Sequence, residues 1–269
     1  MSRPLFYVPA GSLDGAVPGA VVTVEGAEGR HAVTVRRLTV GEGVDLADGA
    51  GVRAVGIVSR AEGSLLGVLV ENVCREKAPP FRLVLVQALA KGDRDELAVE
   101  TATELGVDAV VPWQAERSIV RWKAERADKG LAKWRSVVLA AAKQARRATV
   151  PPVEAPHDGA RLVRRIEAAR LAVVLHEEAT EPLSAVLDAI TAQSAPAAEP
   201  TPATGEILFI VGPEGGISPA ELERFRSAGA RVALLGPHVL RSSTAGPAAL
   251  ALAGDRLGRW RGRDGTLTP

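Results

Sequence analysis

The spacing of apolar positions divides the chain near Lys77. Before that point, short alternating runs rich in Val and Gly recur: Ala20 to Val24, Gly43 to Leu46, Val52 to Val58 and Leu65 to Val73. Asp48-Gly49 and Glu62-Gly63 punctuate them as turns. This pattern predicts a small β-barrel or sandwich, and Lys77-Ala78-Pro79-Pro80 reads as a linker. From Phe81 the apolar runs become continuous. Arg82 to Ala88, Ala109 to Trp113, Leu171 to Leu175, Ile207 to Val211 and Val232 to Leu235 are strand-length, as in parallel strands covered on both faces. Helical stretches fall between them. The alternation predicts a doubly wound α/β domain.

Helix boundaries follow from local signals. Asp93 followed by Glu96 has the form of a capping box, with Gly106 placed to close that helix. Ser218-Pro219-Ala220-Glu221 carries a cap, a proline at the first helical position and a glutamate that can reach back. Leu222 and Phe225 then face the core, and Gly229 ends the helix. A last helix is expected from about Ala245 to Arg259, with Pro247 in its first turn, where proline is tolerated. Residues 192–205, rich in Pro, Ala and Thr, predict a mobile surface loop, and no internal repeat is present.

Composition narrows the class. The 3% aromatic share makes this a Val, Leu and Ala core, and 269 residues suffice for two domains. With Cys74 as the only cysteine, disulfide scaffolds and cysteine-based metal sites are excluded, and a reducing cytoplasm is the simplest compartment. Four scattered histidines show no ligand spacing, so no metal is expected. Met1-Ser2-Arg3-Pro4 lacks the apolar core of a signal peptide, and no apolar run is long enough to span a bilayer. The net charge of +1 hides an uneven distribution. Arg117 to Arg147 holds ten Lys or Arg against Glu125 and Asp128, a local +8, so the remainder carries −7. Such a segment is either a contact surface for polyanions or a solvated helix face.

In open α/β sheets, ligands sit at the carboxyl ends of strands. Two glycine-bearing loops fall there, Gly212-Pro213-Glu214-Gly215-Gly216 and Leu235-Gly236-Pro237-His238-Val239-Leu240-Arg241; the loop after Leu175, His176-Glu177-Glu178, is a third. The first has no Lys-Ser/Thr after its glycines and is not a Gly-x-Gly-x-x-Gly fingerprint. Glu214 inside it would repel phosphate. A cationic or zwitterionic adenosine compound fits better, and S-adenosylmethionine carries a sulfonium and an ammonium. Alone, Gly212–Gly216 could equally be a tight strand-to-helix turn.

The paired loops resemble the signature of the knotted SPOUT methyltransferases, and specifically the RsmE family, ribosomal RNA small subunit methyltransferase E. The resemblance spans nearly the whole chain. It runs through Arg3-Pro4-Leu5-Phe6, then His31 with Val35-Arg36-Arg37, Gly41 and Asp48-Gly49. It continues with Gln87 to Asp93, Ala102-Thr103-Glu104-Leu105-Gly106-Val107, Pro112, Glu116-Arg117-Ser118, and Gln144 with Arg147 before Pro151. One position departs. Where the family has Arg-x-Glu-Thr-Ala, this chain has Arg241-Ser242-Ser243-Thr244-Ala245, so no acidic role transfers to Ser243.

The resemblance implies a PUA-like, RNA-binding β-barrel over residues 1–76 and a SPOUT methyltransferase domain over 81–265, the latter with a C-terminal trefoil knot, an exception to unknotted topology. It also implies methylation at N3 of the uridine at position 1498 of 16S rRNA in the small ribosomal subunit, with S-adenosylmethionine as cofactor and a homodimer to which the last helix contributes. The cofactor would be held around Leu175, His176, Glu177, Gly212, Pro213, Glu214, Gly216, Ile217, Leu235, Gly236, Val239 and Leu240. Arg241 is placed to stabilise negative charge on the uracil oxygens. Glu214 is the nearest acid, either as proton acceptor or as partner of the cofactor ammonium. Arg3, Arg36, Arg37, Lys91, Arg117, Arg121 and Arg147 are candidates for phosphate contacts, which position RNA without specifying it. Any one of them can instead be a surface charge. His31 reads as a core or hydrogen-bonded residue, and Trp113, Trp122, Trp134 and Trp260 as packing residues. Two alternatives stay open: a SPOUT enzyme acting on tRNA or on ribose, and a non-catalytic RNA-binding or ribosome-assembly factor.

Overall fold

The computed structural model describes residues 3–123, 125–193 and 205–260. They form two compact units. One holds the chain up to Ala78 together with Ala142–Val150, and the other holds Pro79–Ala141 and the chain from Pro151.

The first unit is a five-stranded sheet curled into a half-barrel. Its strands are β1 (Leu5–Tyr7), β2 (Val21–Val24), β3 (Gly43–Ala47), β4 (Val52–Glu62) and β5 (Leu65–Arg75), in the order β1-β3-β4-β5-β2. All pairs are antiparallel except β1 with β3. The four runs seen in the sequence are β2 to β5. Between β2 and β3 lie the short helix α1 (Gly26–Arg30) and a π-helical turn, His31–Val35. Phe6, Leu13, Val44, Leu46, Ala54, Leu66 and Val68 fill the interior. His31 meets the edge of the Phe6 ring at 5.9 Å between centroids.

Ala142–Val150 completes this unit. The Tyr7 hydroxyl donates to the Arg147 carbonyl at 2.7 Å, and burial pushes its phenol up to about 12. Arg53 donates to the Arg146 carbonyl, Lys143 pairs with Glu28 at 2.7 Å, and Thr149 bridges to Gly49 and Ala50. The backbone groups that this stretch would otherwise bury are thereby satisfied.

The second unit is a parallel sheet with helices on both faces. Its strands are β6 (Phe81–Ala88), β7 (Ala109–Trp113), β8 (Leu171–Leu175), β9 (Gly205–Val211) and β10 (Arg231–Ala233), in the order β10-β8-β9-β6-β7. Every pair is parallel, as the continuous apolar runs predict. The helices are α2 (Arg94–Glu104), α3 (Glu125–Gln144), α4 (Gly159–Ala168), α5 (Leu183–Gln193), α6 (Pro219–Ser227) and α7 (Ser242–Arg256). Val84, Val86, Val111, Val174, Leu208 and Ile210 pack against Leu162 and Ile166 of α4 and Phe225 of α6. On the other face α7 lies so close that a Cβ on Gly246 would meet Leu85 at 2.7 Å. Trp113 and Trp134 are fully buried and Trp122 packs on Trp134, whereas Trp260 is half-exposed.

Three local expectations change. Asp93 does not cap α2. It sits in the left-handed region (φ 60) with no capping bond, because an N-cap needs an extended backbone to aim its oxygen at the first turn. Glu96 cannot reach back either, since Lys133 holds it at 2.5 Å. The buried Asp95 anchors the turn instead, accepting from the Ala90 N–H at 3.3 Å. Pro247 is not in the first turn of α7: the helix begins at Ser242, with Arg241 as N-cap, so the proline lies inside it. Finally, β1 and the π-helical turn had no separate signal. The Ser218 cap forms as expected, with both bonds of its box present, and Gly106 and Gly229 follow their helices at positive φ. Of the loop at 192–205, residues 194–204 lie outside the described residues, while Gln193 ends α5 and Gly205 opens β9.

At the amino ends of β6 and β9 the second unit carries a closed ring of charge. Arg82 pairs with Glu206 at 2.6 Å and Glu154 at 3.7 Å, and Arg165 of α4 pairs with Glu206 at 3.1 Å and also with Glu154. Burial would raise the Glu154 carboxyl, but the Arg165 bond and the charges of Arg165 and Arg82 outweigh it and hold it below the ordinary glutamate range. His157 sits beside this ring, 4% exposed, its Nδ1–H donating to the Ala155 carbonyl at 2.9 Å.

Candidate active site

At the opposite, carboxyl end of the same sheet, three loops enclose a cavity of about 280 Å³. Each leaves a parallel strand: His176–Glu177 after β8, Gly212–Ile217 after β9, and Val239–Leu240 after β10, leading into Arg241 and α7. Leu175, Pro213, Glu214, Gly216, Ser242 and Ala245 complete the wall, with Arg94 from the start of α2. Leu235 lines a smaller adjoining recess of about 60 Å³, shared with Leu175, His176, Val239 and Leu240. Gly236 lines neither. It holds φ +133, a value that an L side chain rarely adopts, and so shapes the loop.

The loops are held from behind. The Ser218 Oγ accepts from the Glu221 N–H at 3.0 Å, and the Glu221 carboxylate, 1% exposed, returns a bond to the Ser218 N–H. The other Glu221 oxygen accepts from the Glu116 N–H at 2.8 Å. The Ser218 hydroxyl donates to Glu116 at 2.5 Å, and Arg224 also bonds that carboxylate, so Ser218 first and then Arg224 hold it below the ordinary glutamate range. One helix cap thus locks Gly212–Ile217 to the loop after β7. Within the first loop a Cβ on Gly212 would meet Ile217 at 2.7 Å, so the close turn requires glycine.

The interior is chemically open. The Ser242 Oγ is buried in the wall without a partner, and the Arg241 guanidinium and Glu177 carboxylate have none among the described residues. Glu214 is engaged: its Oε1 accepts from the Lys91 N–H and from Arg94 Nη1, both at 3.2 Å. The His176 Nδ1 accepts the Glu178 N–H at 3.2 Å. Gln87, buried at the carboxyl end of β6, also has one oxygen without a partner.

Of the residues proposed from sequence for the cofactor, all but Leu235 and Gly236 line the main cavity, together with Arg241. The cationic candidates divide between the two units, Arg3, Arg36, Arg37 and Arg147 in the first and Lys91, Arg117 and Arg121 in the second. Arg3 pairs with Glu71 at 3.2 Å; Arg36 and Arg37 stand exposed after the π-helical turn; Arg147 offers its carbonyl to Tyr7. Lys91 meets Glu214 through its backbone, Arg117 donates to the Gly215 carbonyl at 3.2 Å, and Arg121 to the Glu116 carbonyl at 2.8 Å. Within the basic segment, Lys133 and Lys143 are spent on internal pairs. Arg94 was missed. It follows Lys91-Gly92-Asp93 directly, but a single arginine at a helix start carries no signal of its own. Among the described residues no group of three His, Cys, Asp or Glu could hold a metal, and no helix is long and apolar enough to cross a membrane.

An RNA methyltransferase domain family matches residues 77–254, and an RNA methyltransferase PUA domain family matches residues 24–69. The ribosomal RNA small subunit methyltransferase E of Mycobacterium bovis is 44% identical over 248 residues, covering 90% of this chain and 89% of its own. That of Bacillus subtilis is 32% identical over 231 residues, 83% of this chain and 85% of its own. Among solved structures, the ribosomal RNA small subunit methyltransferase E of Neisseria gonorrhoeae bound to S-adenosyl methionine aligns with a TM-score of 0.75 at 27% identity, covering 94% of this chain and 98% of its own. A Legionella pneumophila methyltransferase with bound cofactor aligns at 0.74 and 26%, covering 95% and 98%.

Fold, loops and family matches together define the class: an RNA methyltransferase with an N-terminal PUA domain. Within it, the chain belongs to the ribosomal RNA small subunit methyltransferase E family.

Proposed function

We propose that this protein uses S-adenosylmethionine to methylate N3 of the uridine at position 1498 of 16S rRNA in the small ribosomal subunit. The observation that carries this reading is the three-loop cavity at the carboxyl ends of the parallel strands, in a chain of this family.

The residues present fit the cofactor. The partnerless Ser242 hydroxyl needs a hydrogen-bonding ligand, since a buried hydroxyl without one costs about 1–3 kcal/mol. Glu177 and Glu214 offer negative charge to a sulfonium and an ammonium, and the backbone of Gly212–Ile217 is bare enough for close approach. Leu175, Leu235, Val239 and Leu240 supply apolar wall for an adenosine. When bound, S-adenosylmethionine supplies the electrophilic methyl group.

The chain's task is alignment and charge. Uridine N3 is an imide nitrogen, poorly nucleophilic while it holds its proton. Arg241, in the cavity wall with no side-chain partner among the described residues, stabilises the negative charge that spreads onto the uracil oxygens as that proton leaves. The cavity wall would hold the uracil with N3 aligned to the methyl group that the bound cofactor supplies. Arg3, Arg36, Arg37, Lys91, Arg117, Arg121 and Arg147 serve as phosphate contacts in this reading. It further includes a PUA-like barrel over residues 1–76, a catalytic domain over 81–265 with a C-terminal knot, a homodimer joined partly through α7, and a cytoplasmic location.

The test is incubation with labelled S-adenosylmethionine and small subunits lacking the modification, followed by mapping of the methylated nucleotide. Label at N3 of that one uridine is expected. Label on tRNA or on a ribose overturns the substrate assignment.

A further inference from the structure

Arg94 is unassigned by the family comparison and by the mechanism above, yet it lines the cavity. The chain makes a special effort to put it there. Gly92 and Asp93 both take left-handed backbone (φ 62 and 60), which turns the first residue of α2 toward Gly212–Ile217. Its Nη1 then donates to Glu214 Oε1 at 3.2 Å, beside the Lys91 N–H on the same oxygen. With the two side chains 45% and 26% exposed, the pair adds little to stability. Its effect is on the site. One Glu214 oxygen is doubly occupied, and the other has no partner among the described residues.

We propose, on the basis of the function argued above, that Arg94 is a positioning residue that holds the Glu214 carboxylate in the cavity wall as a partner for the cofactor's cationic end. One Glu214 oxygen receives both the Arg94 guanidinium and the Lys91 N–H, which fixes the carboxylate's orientation and leaves the second oxygen for a cationic ligand.

Titration calorimetry with S-adenosylmethionine tests this. Arg94→Met should weaken cofactor binding about tenfold, Arg94→Lys should restore most of it, and Glu214→Gln should weaken it similarly. The double variant should bind no worse than Glu214→Gln alone, because Arg94 acts through Glu214. Wild-type affinity in Arg94→Met, or additive losses in the double variant, would each overturn the inference while leaving the methyltransferase reading intact. Wild-type protein that takes up no S-adenosylmethionine would overturn both.

Discussion

The two ends of the parallel sheet are both lined with charge, and they use it oppositely. At the amino end, Arg82, Arg165, Glu154 and Glu206 pair reciprocally until every carboxylate is matched. At the carboxyl end, Arg241, Glu177 and the Ser242 hydroxyl have no side-chain partner among the described residues and line a cavity. The strands, helices and core are common to both ends, so the fold does not dictate the difference. A closed ring serves the folded chain alone. The open set faces the cavity, where solvent covers the exposed Arg241 and Glu177 until a ligand meets them.

Four changes would break or sharpen that contrast. The largest effect is expected for Arg241→Ala, which should cut methyl transfer by about two to three orders of magnitude with the melting temperature and circular dichroism unchanged. Activity near wild type would remove the contrast from the chemistry. Next, Arg165→Ala should cost about 1–3 kcal/mol of stability, because Glu154 and Glu206 would be left sharing Arg82. Denaturant unfolding would show it, and cofactor affinity should not move. A change in affinity would mean that the two ends are coupled.

Ser218→Ala tests the lock behind the first loop. Losing the cap should cost about 1 kcal/mol and, unlike the Arg165 change, should also weaken cofactor binding. Equal affinity would show that the loop holds its shape unaided. The smallest effect concerns acid. Burial, then the charges of Arg161 and Arg165, hold His157 below its ordinary 6.5, and Glu154 lies below its ordinary 4.5. Both depressed values act in the same direction: the stability they lend is complete above the ordinary values and drains away as pH falls. The melting temperature should therefore begin to drop below about pH 6.5 for His157, and again below about pH 4.5 for Glu154. His157→Gln should flatten the first drop. An unchanged slope between pH 7 and 5.5 would exclude His157 as its source.

What the sequence revealed follows from the kind of interaction involved. The five parallel strands were legible because burial on both faces leaves an unbroken apolar run, and the α6 cap because its residues act on near neighbours. The cavity loops were legible only as a set, by their place after parallel strands and by the family resemblance of the two glycine-bearing ones, since Gly212–Gly216 alone reads as a turn and His176–Glu178 has no glycine. What escaped depends on backbone geometry or on distant partners. Asp93 looks like a cap until its left-handed φ is known. His31–Val35 has the β-branched character of a strand, yet winds as a π-helical turn. Arg94 gains meaning only beside Glu214, and a closed ring such as Arg82–Glu206–Arg165–Glu154 joins residues that no local window contains together.

The contribution of Ala142–Val150 to the barrel unit bears on how the protein is made. Domains are generally expected to fold in order as they leave the ribosome. Here the N-terminal sheet emerges complete in its strands but without the Arg147 carbonyl for Tyr7, the Arg146 carbonyl for Arg53, or Lys143 for Glu28. It must wait for Val150, by which time β6, β7 and α3 have already been synthesised. The first domain begun therefore cannot finish until part of the second has been made, and a fragment cut at Ala78 would be released without part of its own fold.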